Sequence, residues 1–316
     1  MNFWQKLPKP FLILAPMEDV TDVVFREIVC DICKPDVLFT EFTSADGLMS
    51  KGKDRVIRSL LYSERQRPIV AQIWGTNLQN YQHATKLIKQ LGFDGIDINM
   101  GCPDKGVIKK NAGSAIIKDF KRAKEIIELV KQESGDIGVS VKTRLGFDKV
   151  ITEEWISFLL EQKINALTVH GRIATEMSKN PADWNEIKKA VDIKNKIAPE
   201  TLIIGNGDVK SYKQAIEYSD KYKVDGIMIG RGIFSNPWIF EKKEKIHLRG
   251  EYINLLLKHT NLFVSTWGST KNFDVLKKFY KMYVRNFDGA DQLRQKLMEC
   301  TNRQQVERVI STFTFE

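Results

Sequence analysis

Cysteine is scarce in this chain, with 4 residues in 316. That scarcity excludes a small secreted fold stapled by disulfides and suits a reducing compartment. Cys30 and Cys33 form a C-x-x-C, but zinc would need a second pair. None of His83, His170, His247 and His259 supplies one at finger spacing. The pair ends a helix-like stretch, Asp22 to Cys33, so a structural role is expected and no metal site. No run of eighteen apolar residues exists, which argues against a membrane-spanning helix. Met1–Pro10 carries Lys6 and Lys9 but no long apolar segment or small-residue cleavage site, so a cytoplasmic protein is expected. Low-complexity segments are also missing. Acidic residues are in deficit, 40 against 49 Lys and Arg, for a net charge of +9. Such an excess raises the prior for a polyanionic partner. No obligate protein partner is implied. What remains is ordinary globular composition, 42% hydrophobic and 10% aromatic, in a length suited to one large α/β domain and a small one.

Short apolar runs bounded by polar or Gly-rich tips recur eight times: Phe11–Met17, Val37–Phe42, Ile69–Gly75, Gly95–Gly101, Val139–Gly146, Ala166–Arg172, Leu202–Asp208 and Gly226–Gly232. Amphipathic helical segments separate most of them: Asp22–Ile32, Leu78–Leu91, Asp119–Glu133, Glu153–Gln162, Trp184–Lys194 and Ser211–Ser219. Strand and helix alternating eight times predict an α/β fold, a (β/α)8 TIM barrel over residues 1–240. A doubly wound open sheet is the alternative. Beyond Phe234 the alternation stops, and helical patterns cover Tyr252–Trp267, Lys271–Arg285, Ala290–Met298 and Arg303–Ser311. A small all-α C-terminal domain, residues 241–316, is therefore expected. It carries 14 Lys and Arg against 9 Asp and Glu, whereas residues 1–240 carry 35 against 31. Over half of the excess charge thus falls in the last quarter of the chain. Lys277, Lys281 and Arg285, spaced by four, would line one face of the second helix. Such a face binds a polyanion or is merely solvated.

A barrel places its chemistry at the C-terminal ends of its strands. Those ends carry Pro16 and Met17, Glu41, Gln72, Asn99 with Cys102, Lys142 with Arg144, His170 with Arg172, Asn206-Gly207-Asp208 and Gly230-Arg231-Gly232. The last two tips are the usual phosphate site of such barrels, with glycines admitting close backbone approach and Arg231 adding charge. Plain turn chemistry explains one such tip but not the adjacent pair. A phosphate cradle with Gln72, Lys142 and Asn99 suits flavin mononucleotide, Lys142 stabilising negative charge on the reduced ring. Cys102 ends the run Gly95-Ile96-Asp97-Ile98-Asn99-Met100-Gly101-Cys102-Pro103. It is either a buried structural thiol or, protonated at neutral pH, a general acid facing a substrate on the open side of the flavin.

Ala15-Pro16-Met17, Gln72-x-x-Gly75, Asp97-Ile98-Asn99-Met100-Gly101-Cys102-Pro103, Ala112-Gly113-Ser114-Ala115, Lys142-Thr143-Arg144, Val169-His170-Gly171-Arg172, Asn206-Gly207-Asp208 and Gly230-Arg231 together resemble the tRNA-dihydrouridine synthase family. The Asn-Met-Gly-Cys-Pro and Ala-Gly-Ser-Ala wording looks most like its B-type bacterial branch. The resemblance implies FMN lying along Pro16 and Met17, with Gln72 and Lys142 bonding its ring. Asn206, Gly207, Asp208, Gly230 and Arg231, with His170, would hold the ribityl phosphate, and Glu18 would touch the cofactor only through its backbone. Cys102 would give the proton, Asn99 would lie between flavin and uracil, and Arg144 and Arg172 would lie toward the substrate. It further implies NADPH (or NADH) as reductant and tRNA as partner, gripped by the helical domain through Lys277, Lys281 and Arg285. Glu18-Asp19 departs from the family pattern, in which a small residue and Gly are common there, and Ile173 replaces a usual Thr. The alternative reading is an FMN barrel acting on a free pyrimidine, of the dihydroorotate or dihydropyrimidine dehydrogenase type, which leaves the basic helical domain without a purpose.

Overall fold

The computed structural model describes residues 2–314. Each of the eight apolar runs contains a strand: β1 Phe11–Leu14, β2 Val37–Phe39, β3 Ile69–Trp74, β4 Gly95–Met100, β5 Gly138–Arg144, β6 Ala166–His170, β7 Leu202–Asn206 and β8 Gly226–Ile229. Each strand is parallel to the next, and β8 pairs back onto β1, so the sheet closes into a barrel rather than an open doubly wound sheet. Beyond β2 the chain leaves the ladder at Thr40–Phe42. It rejoins β3 through Thr43 and Ser44, which pair with Ile73 and Trp74.

The crossovers are α1 Val23–Cys33, α2 Leu78–Gln90, α3 Phe120–Ser134, α4 Thr152–Glu161, α5 Trp184–Ile197 and α6 Tyr212–Tyr222. Side-chain oxygens of Asp22, Asn77, Asp119, Asp183 and Ser211 cap all but α4, satisfying N–H groups that the helix itself leaves free. Cys30 and Cys33 lie on α1, and all four cysteines are free thiols. No helix among the described residues is long and apolar enough to cross a membrane.

One core fills the space between strands and helices, and a second lies inside the barrel, built from Phe11, Ile13, Phe39, Val70, Ile204 and Met228. Trp4, 1% exposed, belongs to this inner core. A 3-10 turn over Phe3–Lys6 carries it against Phe11 and Phe39, at 6.2 and 6.4 Å between ring centroids. The N-terminal segment therefore plugs the end of the barrel at which the strands begin.

The tail holds α7 Arg249–Trp267, α8 Ala290–Glu299 and α9 Arg303–Thr312. It packs on α1: Phe25 stacks on Phe279 at 5.1 Å, and Trp267 Nε1 and Lys271 Nζ both donate to Asp22 Oδ2, at 3.1 and 2.9 Å. The expected single helix over Lys271–Arg285 is corrected. The chain instead makes a 3-10 stretch, Phe273–Phe279, followed by one α turn, Tyr280–Tyr283. Phe273, Leu276 and Phe279 recur every third residue, which is the 3-10 period. Lys277 is consequently eclipsed with Asp274 and pairs with it at 2.7 Å instead of aligning with Lys281.

Removing the plug should cost stability. Trp4→Ala should lower the free energy of unfolding by about 3–5 kcal/mol, the usual penalty for emptying a large aromatic site. Urea denaturation measures it, and a loss under about 1 kcal/mol would show that the segment does not hold the barrel end.

Candidate active site

The site grows from one carboxylate inside the barrel. Asp97 on β4 faces Gln72 on β3 and Ser140 on β5 in the strand register. Its oxygens accept from Ser140 Oγ (2.6 Å) and Gln72 Nε2 (2.7 Å). An ionised carboxylate only accepts, so Gln72 must turn its N–H to Asp97 and its oxygen outward. That oxygen accepts from Asn99 Nδ2 at 2.9 Å. Asn99 Oδ1 in turn accepts the backbone N–H groups of Gly101 (3.1 Å) and Cys102 (2.9 Å). The turn bearing the thiol is thus oriented by a relay of fixed polarity that starts four to five residues earlier in the same strand.

Three further contacts fix the Cys102 loop. Ser114 N–H donates to the Cys102 carbonyl at 3.0 Å. Gly113 makes that approach possible, since its φ is +59° and a Cβ there would lie 2.9 Å from the same carbonyl oxygen. Arg144 Nε donates to the Gly101 carbonyl at 2.8 Å, while Nη1 reaches the carbonyls of Ile173 and Met177. Burial pushes the Cys102 thiol above its ordinary pKa, against a hydrogen bond from the Asp104 backbone and the charges of Arg144 and Lys142, with the Asp104 carboxylate adding a smaller push upward. The thiol is therefore protonated at neutral pH.

A cavity of about 390 Å³ opens over these groups at the C-terminal ends of the strands. Pro16, Met17, Gln72, Asn99, Cys102, Lys142, Arg144, His170, Arg172, Asn206, Gly207, Asp208, Gly230 and Arg231 all line it, so the structure brings together most residues singled out from the sequence. Register explains the crowding: Asn99 pairs with Lys142, Arg144 with His170, and His170 with Asn206. Lys142 Nζ donates to Asn206 Oδ1 (3.2 Å), and Asn206 Nδ2 to the Met228 carbonyl (2.8 Å). Burial, helped by Arg144, lowers Lys142 to a pKa of about 8. His170 is held well below its usual value by burial and then by Arg144, Lys142, Arg172 and Arg231. It is a neutral acceptor, taking a hydrogen bond from Arg172 Nη1 at 3.0 Å. Gly207 adopts φ +133° where a Cβ would meet Ala182 at 2.5 Å, so only glycine fits at that rim.

Two residues stand differently from expectation. Arg172, buried, also bonds the Asn180 carbonyl and Asp208 Oδ2, and that oxygen accepts the Ala182 N–H at 2.8 Å as well. Arg172 therefore braces the Asn206-Gly207-Asp208 tip. The Asp208 carboxylate is committed to protein partners, which leaves its backbone, not its side chain, for an anion. Glu18 is exposed and outside the cavity lining. Its neighbour Asp19 sits at φ +54°, the left-handed region that favours glycine, and its carbonyl accepts from Lys278 Nζ at 2.8 Å. Lys281 and Arg285 line a second cavity, of about 810 Å³, between Phe234–Ser235 and the tail, together with Lys278 and Arg294. Lys277 does not line it. Ser235 belongs to both cavities. Asp97 escaped the sequence reading as a site residue. Its signal was a carboxylate in an apolar strand at the same parity as Asn99.

Among the described residues no cluster of three or more metal-ligating side chains occurs. The cavity lining instead gathers five cationic residues, Lys142, Arg144, Arg172, Lys210 and Arg231, against the single carboxylate of Asp208. This surplus fits an anionic group such as a phosphate.

A family model described as dihydrouridine synthase (Dus) matches residues 13–315. A probable tRNA-dihydrouridine synthase of Staphylococcus aureus (strain COL) is 42% identical over 315 residues, covering 99% of this chain and 95% of the relative. Probable tRNA-dihydrouridine synthase 2 of Bacillus subtilis (strain 168) is also 42% identical, covering 99% and 96%. Among solved structures, morphinone reductase in complex with tetrahydroNAD aligns with a TM-score of 0.51 at 12% identity, over 73% of this chain and 85% of that one. A 2-naphthoyl-CoA reductase complex aligns with 0.56 at 11%, over 73% and 49%. These two likenesses show the barrel fold.

The relay predicts a pH signature. Burial pushes Asp97 up to about 6 from an ordinary 3.8, against the bonds from Ser140 and Gln72. The folded state thus keeps this proton to higher pH than the unfolded chain. The stability contributed by the group is complete below about pH 4 and is lost as pH rises to about 6. Asp97→Asn can still accept from Gln72 but does not titrate. Relative to the variant, the wild type should lose on the order of 2–3 kcal/mol between pH 4 and pH 6.5. Urea unfolding of both proteins across that range is the measurement, and parallel curves would refute the assignment.

Proposed function

The chain belongs to the dihydrouridine synthase family, and from that premise we propose that it reduces the C5=C6 bond of specific uridines in tRNA, with FMN as bound cofactor and NADPH as reductant. The observation carrying this reading is the thiol of Cys102, its turn held by Asn99, on the wall of a cavity that also gathers surplus positive charge. When bound, FMN supplies a hydride, drawn from NADPH, at C6 of the uracil. The remaining work falls to side chains. Cys102 gives its proton to C5, so one hydride and one proton add across the double bond and the thiolate is reprotonated from solvent. Asn99 and Arg144 hold the Cys102 turn so that the thiol meets the base from the side opposite the ring.

Pro16 and Met17 offer an apolar wall for the flavin. Gln72 retains one N–H and Lys142 an ammonium for its polar edge. A cation at that edge stabilises charge that develops on the reduced ring. The backbone of Asn206, Gly207, Asp208 and Gly230 and the exposed guanidinium of Arg231, with neutral His170 beside them, would hold the ribityl phosphate. The uridine must leave its stack to enter the mouth. Lys278, Lys281, Arg285 and Arg294 line the cavity that shares Ser235 with the mouth, which suits a phosphodiester strand leading to the flipped base.

Purified protein should bind about one equivalent of FMN and reduce uridine in tRNA with NADPH. Protein that reduces uridine without any flavin would overturn the cofactor. Cys102→Ala should leave flavin reduction by NADPH nearly unchanged while slowing uridine reduction about 10²–10⁴-fold, as loss of a general acid does. Stopped-flow traces of the two half-reactions separate these effects. Equal losses in both would make Cys102 a structural thiol.

A further inference from the structure

A third cavity, of about 660 Å³, lies on the rim of the same barrel face, away from the helical tail. Thr76 after β3 lines it, with Lys110, Lys118, Lys121 and Arg122 after β4 and the carboxylates of Asp119 and Glu125. The tail packs on α1, between β1 and β2, and on the turn that follows β8. In a closed barrel of eight strands, the tips of β3 to β5 lie across the mouth from that sector. The segment 104–122 carries six cations, Lys105, Lys109, Lys110, Lys118, Lys121 and Arg122, against Asp104 and Asp119. Both carboxylates are spent on backbone N–H groups at helix starts, Asp104 on Gly106 and Val107, and Asp119 on Arg122.

Only Arg122 of the four lining cations is neutralised, by Glu125 at 2.9 Å. Lys110, Lys118 and Lys121 are exposed and make no ion pair among the described residues. Lys110 Nζ rests over the Trp74 ring (5.5 Å) and Lys118 Nζ over Phe147 (4.1 Å), both rings half-buried. Such contacts are worth about 0.5–1 kcal/mol at exposed sites, so a phosphate can draw these ammonium groups away and uncover a ring face for a base. A bare inorganic anion would use the charge but not the rings. RNA uses both.

We propose that Lys110, Lys118 and Lys121 form a second RNA-docking surface, across the barrel mouth from the helical tail, that binds the phosphodiester backbone on the Cys102 side of the entering nucleotide. This rests on the tRNA reading above and extends it to a surface outside the tail. Lys110 and Lys118 belong to the same loop that runs on from Cys102 and is tied to it through Ser114. RNA held there is therefore gripped by the segment that carries the proton donor.

The test is binding of an unmodified tRNA transcript to the full chain at three salt concentrations. Lys110→Ala, Lys118→Ala and Lys121→Ala combined should lower the slope of log K against log salt by about 2–3 and weaken binding at low salt on the order of ten- to a hundredfold. Melting temperature should not change. The corresponding triple Lys→Arg variant should bind like wild type, and alanines at Lys188, Lys213 and Lys221, on the outer helices α5 and α6, should leave the slope unaltered. A wild-type slope in the first variant, equal weakening in the arginine variant, or equal weakening in the outer-helix control would overturn the surface while leaving the tRNA reading standing. Wild-type protein that does not bind tRNA would overturn both.

Discussion

The buried carboxylate of Asp97 is the constraint on which the site depends. A carboxylate has no proton to give when ionised, so it dictates which end of the Gln72 amide faces it, and Gln72 dictates the Asn99 amide. The result is two backbone N–H groups bound to one oxygen at the turn before Pro103. An amide placed there without Asp97 could flip, and its reversed form would present an N–H to two N–H groups. Burying a charge is unfavourable, which is why the carboxyl is pushed up to about 6. The protein tolerates this because the alternative is a thiol of undefined direction.

Electrostatics in the cavity follows the same logic with opposite sign. Lys142, Arg144, Arg172 and Arg231 converge from strand tips whose register leaves them no choice of neighbour. Asp208 offsets part of this charge through Arg172, and its own pKa is held low by that pairing and the Ala182 N–H despite the opposing effect of burial. His170 stays neutral as a consequence and accepts from Arg172. The remaining positive charge is unmatched by protein and is the physical reason for expecting an anionic ligand. Arg172 also shows why a position at a strand tip does not by itself assign a role: it lines the cavity, yet its guanidinium bonds the Asn180 carbonyl, His170 and Asp208.

The barrel was legible because its strands are buried on both sides and so read as apolar runs, unbroken in Phe11–Leu14 and Val37–Phe39. Tip residues were legible for the same reason, as polar groups abruptly ending those runs. Three features were not. Trp4 lies in a four-residue turn too short to carry a periodic signal, yet it completes the inner core. The stretch Phe273–Phe279 has apolar spacing of three that also fits a helical pattern loosely, and Lys277 followed the wrong period onto the wrong face. Asp97 sat in plain view within the most distinctive motif, but its partners Gln72 and Ser140 are 25 and 43 residues away and come together only through closure of the sheet.

Burial also gives the two central titratable groups a common explanation. Removing water disfavours whichever form is charged. For Lys142 the charged form is the ammonium, and its pKa falls to about 8. For Cys102 it is the thiolate, and its pKa rises although Arg144 and Lys142 lie nearby to stabilise that anion. Desolvation therefore outweighs direct charge attraction at the thiol. If the order were reversed, the cations around the cavity would strip Cys102 of its proton, as cations do in sites built around a nucleophilic cysteine. A cavity can hold strong positive charge and a proton-bearing thiol together only if desolvation of the thiolate outweighs the attraction of the cations around it. Cys102 is itself only partly buried, but the buried Arg144 beside it spends its Nε and Nη1 on the carbonyls of Gly101, Ile173 and Met177, and Arg231 remains at the exposed rim.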